Sequence, residues 1–80
     1  MNNQRRLAKV LSDVLAVPAD AINEETSVDS VKSWDSFNHM KLVLALESEF
    51  GISFTEEQTV EIISYPLIHA ILQEHGVQFL

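Results

Sequence analysis

The chain has 80 residues, 46% of them hydrophobic, with two glycines, two prolines and no cysteine; at that length it buries only about 60% of the surface its unfolded form exposes, so one small domain spanning 1–80 with a thin stability margin is expected. Twelve acidic against five basic side chains give a formal charge of -7, which repels nucleic-acid phosphates and anionic lipid and favours basic protein surfaces as partners. Without cysteine there is no disulfide, no thiol nucleophile and no cysteine-based zinc site, so any sulfur chemistry must be borrowed.

The opening stretch MNNQRRLAKVLSDVLAV carries two arginines ahead of apolar residues, but Lys9 and Asp13 interrupt any continuous hydrophobic segment. Neither a signal peptide nor a membrane span is expected, and a cytoplasmic location is. Leu7, Val10, Leu11, Val14 and Leu15 recur at three- and four-residue steps and predict an amphipathic helix ended by Pro18. The following PADAINEETSVDSVKSW is polar and turn-rich without a period, which reads as a long loop. Because long structureless loops are uncommon in compact domains, Ile22, Val28, Val31 and Trp34 are expected to pin it across the bundle.

A second helix is predicted from about Ser36 to Phe50, closed by Gly51 in the left-handed conformation. Thr55 with Gln58 three residues on forms a capping-box pattern and predicts a short helix from Glu56 to about Ile62. Ser64 and Pro66 mark the start of the last helix, Ile68, Ile71 and Leu72 give it a buried stripe, and Gly76 stops it. No segment alternates as a half-buried strand does. The fold class is therefore all-α: a four-helix bundle with a long loop between helices 1 and 2 and a short third helix. The apolar tail Val77–Leu80 either caps the core or touches a partner.

At about 100° per residue the second helix has two apolar flanks. Leu42, Val43, Leu46 and Phe50 form one, sufficient to join a core, while Phe37, Met40 and Leu44 form a nearly opposite one. Either the long loop or the third helix covers that second flank, or it is an exposed docking patch with Met40 supplying adaptable contact. Asp35 is a strong N-cap type, so Ser36 is left with a free hydroxyl at the positive end of a helix. An anion attached there would meet unpaired N–H donors.

Asp35, Ser36 and His39 invite comparison with a catalytic triad, but neighbours along one helix cannot easily form the relay and no oxyanion hole accompanies them. The chain is expected not to be an enzyme, with His39 a packed or capping residue. His69 and His75 fall on different faces of the last helix, which argues against a shared metal. DAINEE lacks the oxygen spacing and central glycine of a calcium loop.

With WDSFNHMKLVLALESEFGISF, the TEEQTVEII segment and the order of helices in view, the chain resembles the acyl carrier protein family over nearly its whole length. Asp-Ser followed by a large apolar residue is the motif, with Phe37 in place of the usual leucine. The resemblance implies that Ser36 is esterified with 4'-phosphopantetheine taken from coenzyme A by a phosphopantetheinyl transferase. Its thiol would hold acyl groups as thioesters for acyl-transferring or condensing enzymes of fatty acid, polyketide or another specialised pathway. It further implies that Asp35, Phe37, Met40, Leu44, Glu47 and Glu57, with Glu49, Glu56 and Glu61, face the basic docking patches of those enzymes. Two departures accompany it. Lys32, Ser33 and Trp34 stand where a glycine shortly before Asp-Ser is common, and Lys41 stands where an acidic residue is usual, which points to a specialised carrier with its own partners. The start methionine and single domain favour a free-standing carrier, and a monomer is expected. The alternatives are an unmodified acidic adaptor that binds through Phe37, Met40 and Leu44, and a carrier of aminoacyl rather than acyl cargo. Cargo identity, pathway and any folding of cargo into the bundle are open at this level.

Overall fold

The computed structural model describes residues 2–79. Among them the chain forms α1 (Asn3–Leu15), a single 3-10 turn (Ala19–Ala21), α2 (Ser36–Phe50), α3 (Glu56–Glu61) and α4 (Tyr65–Glu74), with no strand beyond one isolated bridge. The expected all-α bundle with a short third helix is what forms.

Each helix start is set by a side chain that accepts from a first-turn amide, as orphan N–H groups require. Asn2 serves α1, Asp35 serves α2 and Ser64 serves α4. Thr55 and Gln58 complete the reciprocal capping box on α3. The ends are equally local. Gly51 closes α2 at φ 64, and its N–H reaches the Glu47 carbonyl. Ala16, not Pro18, is the residue that ends α1, in the left-handed conformation at φ 58, two residues before the proline.

Burial follows the predicted stripes. Leu7, Val10, Leu11 and Leu15 of α1 meet Leu42, Val43 and Leu46 of α2, and Ile62 with Ile68, Ile71 and Leu72 closes the far side. Val14 and Phe50 pack at the margin of this core, half exposed. Arg6 fastens α1 to the end of α2: its Nε donates to Glu49 Oε2 at 2.7 Å while the guanidinium lies 4.8 Å from the centre of the Phe50 ring. At the other end of the chain Val77 and Phe79 lie against the core, and the Asn3 side chain donates to the Gln78 carbonyl. Leu80, the last residue of that tail, lies outside the described residues.

The segment between α1 and α2 is less irregular than its composition predicts. Besides the 3-10 turn, it pairs with the α3–α4 junction: the Val28 amide donates to the Ile63 carbonyl at 3.0 Å and the Tyr65 amide to the Thr26 carbonyl at 2.8 Å. Thr26 is buried, and its hydroxyl accepts from the Asn23 amide. Ser33 then donates to the Leu15 carbonyl, satisfying one of the open carbonyls of α1. With Ile22, Val28 and Val31 partly buried and Trp34 only 5% exposed, the loop is stapled at both edges and anchored in its middle. Its last residues are thereby fixed, and they deliver Asp35 and Ser36 to the mouth of α2.

Candidate functional site

At that mouth Asp35 takes the cap position with extended backbone, and its Oδ1 accepts from the Asn38 amide at 2.9 Å. The Asn38 side chain in turn donates to the Ser33 carbonyl, which holds the approach of the loop. Ser36 is the first helical residue, and it is exposed. Because the cap role belongs to Asp35, the Ser36 hydroxyl has no hydrogen-bond partner among the described residues. The amides of Ser36 and Phe37 likewise lack an acceptor among them, leaving two oriented donors at the positive end of a 15-residue helix.

Beside Ser36 runs an open groove of about 550 Å³, lined by Val28, Trp34, Asp35, Ser36, His39, Met40, Val60 and Ile63. His39 lies half buried in its floor, as a packed residue. Outward of the groove, Phe37 is 72% exposed, Met40 58% and Leu44 63%. Neither the loop nor α3 covers this flank, which rules out the covered reading of the second apolar face. The patch extends across the groove to Val60, 71% exposed, and Ile63.

The acidic residues divide. Glu57, Glu56 and Glu61 are exposed on α3. Glu47 is half buried, and its carboxylate accepts from the Phe54 amide at 2.8 Å, so it braces the turn after α2. Glu49 pairs with Arg6. Lys41 projects from the same flank as Phe37, with Nζ 5.4 Å from the ring centre.

Three features of the site lay beyond sequence reasoning. Val60 and Ile63 as groove walls are one, because a six-residue helix is too short for a period to mark its faces. The others are the placement of Trp34 beneath the groove and the double engagement of His39, for which a lone histidine in an apolar helix carries no local signature.

A phosphodiester on an exposed hydroxyl at a helix N-terminus, next to an apolar groove, has its anion met by free amides and its organic arm by apolar walls. Residues 5–64 match the family described as "Phosphopantetheine attachment site". Over 63 residues, covering 79% of this chain and 83% of the relative, the sequence is 29% identical to an acyl carrier protein of Nitratidesulfovibrio vulgaris (strain DSM 19637 / Miyazaki F). The family match and the helical fold make the chain a carrier protein. The chain belongs to the phosphopantetheine-binding acyl carrier protein family, and its cofactor is covalently bound 4'-phosphopantetheine.

Proposed function

We propose that Ser36 is the attachment point and that residues 1–80 act as one non-catalytic carrier domain, presenting acyl groups to biosynthetic enzymes. The observation that carries this reading is the division of labour between two adjacent residues: Asp35 satisfies the helix cap, so the Ser36 oxygen is exposed and uncommitted beside free amides. Arm transfer then requires only that oxygen. It attacks the phosphorus of coenzyme A that carries the pantetheine, the pyrophosphate P–O bond breaks, adenosine 3',5'-bisphosphate leaves, and the serine proton passes to a base. Among the described residues no base reaches Ser36, so a separate transferase supplies it. When attached, the arm provides the thiol that the chain lacks, held as an acyl thioester. The chain itself contributes the amides that face the phosphodiester, the groove beside it, and the exposed Phe37, Met40 and Leu44 on which basic-bordered enzymes dock.

Incubation with coenzyme A and a broad-specificity phosphopantetheinyl transferase tests the site, with intact-mass measurement as readout. One arm is expected on the wild type and none on Ser36→Ala. Equal labelling of the two proteins rules the site out, and a Ser36 that stays bare in the presence of an active transferase returns the exposed apolar face to the adaptor reading.

A further inference from the structure

Trp34, His39 and Thr59 form a continuous run of hydrogen bonds across the floor of the groove. The Trp34 indole N–H donates to His39 Nδ1 at 3.1 Å. A ring nitrogen that accepts carries no proton, so the proton of the neutral imidazole is on Nε2, where it is donated to the Thr59 carbonyl at 2.6 Å. The two rings lie side by side and nearly coplanar, their centres 6.4 Å and their planes 22° apart, as an in-plane N–H···N bond requires. Thr59 is in the last turn of α3, where a carbonyl would ordinarily wait for a donor further along the chain. The amide placed to serve it, that of Ile63, donates to Glu61 instead. His39 therefore supplies the partner of an otherwise open helix-end carbonyl. One side chain joins the loop, α2 and α3.

Both rings face the groove that begins at Ser36, and the core residues Leu42, Leu46 and Ile62 are fully buried. With both nitrogens engaged, His39 offers a ligand no polar atom, so the groove floor behaves as an apolar, closed surface. A chain passing between α2 and α3 would have to separate Nε2 from the Thr59 carbonyl and leave that carbonyl unpartnered, while the open walls Met40, Val60 and Ile63 accept apolar contact without any such loss.

We propose that His39 determines where cargo rests: its bridge from Trp34 to Thr59 seals the seam between α2 and α3, so an apolar acyl chain tethered at Ser36 lies in the open groove and does not enter the bundle. This inference rests on attachment at Ser36, but its first test does not. In the unloaded protein, long-range proton–nitrogen correlation of the histidine ring should show the Nε2–H form of His39 at neutral pH, and an Nδ1–H form overturns the bridge. In the same unloaded protein, His39→Leu, which retains apolar bulk and removes both bonds, should speed amide exchange in α3 by about tenfold; unchanged exchange overturns the seal.

The second test loads an octanoyl arm from octanoyl-coenzyme A, with the mass increment verified first, so that a loading failure speaks against Ser36 and leaves the bridge measurements standing. Relative to the unacylated arm, resonances of Met40, Val60 and Ile63 should move and those of Leu42, Leu46 and Ile62 should not. In His39→Leu the core resonances should move as well. Core shifts in the wild type overturn the proposal, as does a His39→Leu protein whose core stays unaffected by the octanoyl group.

Discussion

The ammonium of Lys41 sits over the ring of Phe37, 5.4 Å from its centre, on the outward flank of α2. The one ion pair among the described residues is Arg6 with Glu49, so Lys41 has no carboxylate of its own. A surface that covers Phe37 also removes water from Lys41, and an ammonium buried without an anion is costly. A surface that matches this flank must therefore offer an acceptor at that point. Phe37→Ala is expected to change folding stability by no more than about 1 kcal/mol, the scale of an exposed cation–π pair. The same change should lower kcat/KM for arm transfer about tenfold or more, as loss of an interface anchor does. A variant that melts like the wild type and is loaded at the wild-type rate would remove Phe37 from the docking face.

Asp35 has two proposed tasks that one substitution separates. As a cap it accepts from the Asn38 amide, and asparagine caps nearly as well as aspartate. Asp35→Asn is therefore expected to keep the thermal midpoint close to that of the wild type, while Asp35→Ala loses about 1 kcal/mol. If the negative charge is what a basic transferase reads, both variants are loaded slowly. Normal loading of Asp35→Asn alongside slow loading of Asp35→Ala would reduce the residue to a structural cap.

The features legible from sequence are those built from neighbours in the chain. The bounds of α2 follow from Asp35 and Gly51, and the starts of α3 and α4 from Thr55 with Gln58 and from Ser64 with Pro66, because caps act within one turn. The two flanks of α2 follow from periodicity, and the free hydroxyl of Ser36 follows from Asp35 taking the cap. What periodicity cannot carry is pairing between distant segments. The Thr26–Tyr65 and Val28–Ile63 bonds that staple the loop, the Arg6–Glu49 tie and the Trp34–His39–Thr59 run each join residues whose local sequence is ordinary. Glu47 shows the same limit from the other direction: on a helical projection it is one more acidic surface residue, and only the return of the chain at Phe54 gives its carboxylate an amide.

Tyr65 links the loop to α4, and its phenol is held above its ordinary value of 10.0, first by burial and then by the Glu24 carboxylate. Both causes disfavour the phenolate. The sign follows: with the folded value above the unfolded one, the contribution to stability is fully present below about pH 10 and is lost as pH rises through the folded value. Tyr65 is the sole tyrosine of the chain, so ultraviolet titration of phenolate reads it directly. The native midpoint should lie above that of the urea-unfolded chain, and Glu24→Gln should narrow the gap without closing it, because burial is the larger cause. A native midpoint at or below the unfolded one would contradict this placement of Tyr65.

Charge sets the response to salt. Twelve carboxylates against five basic side chains leave net repulsion across a small molecule, and only Glu49 is neutralised by an ion pair among the described residues. Glu61 adds to this, since a carboxylate in the last turn of α3 faces the negative end of the helix. Added salt weakens the Arg6–Glu49 pair, but an exposed pair is worth only about 0–1 kcal/mol, and repulsion among the unpaired acids is screened at the same time. Between about 0.01 M and 0.15 M ionic strength the Debye length falls from about 30 to about 8 Å, short enough to separate neighbouring surface charges. Relief of about 1 kcal/mol corresponds to a rise of about 4–8 °C in Tm for a domain of this size. Scanning calorimetry in a monovalent salt series should show that rise, and Glu61→Gln should reproduce part of it at low salt. A flat or falling Tm would mean that the acidic side chains are spaced widely enough not to repel.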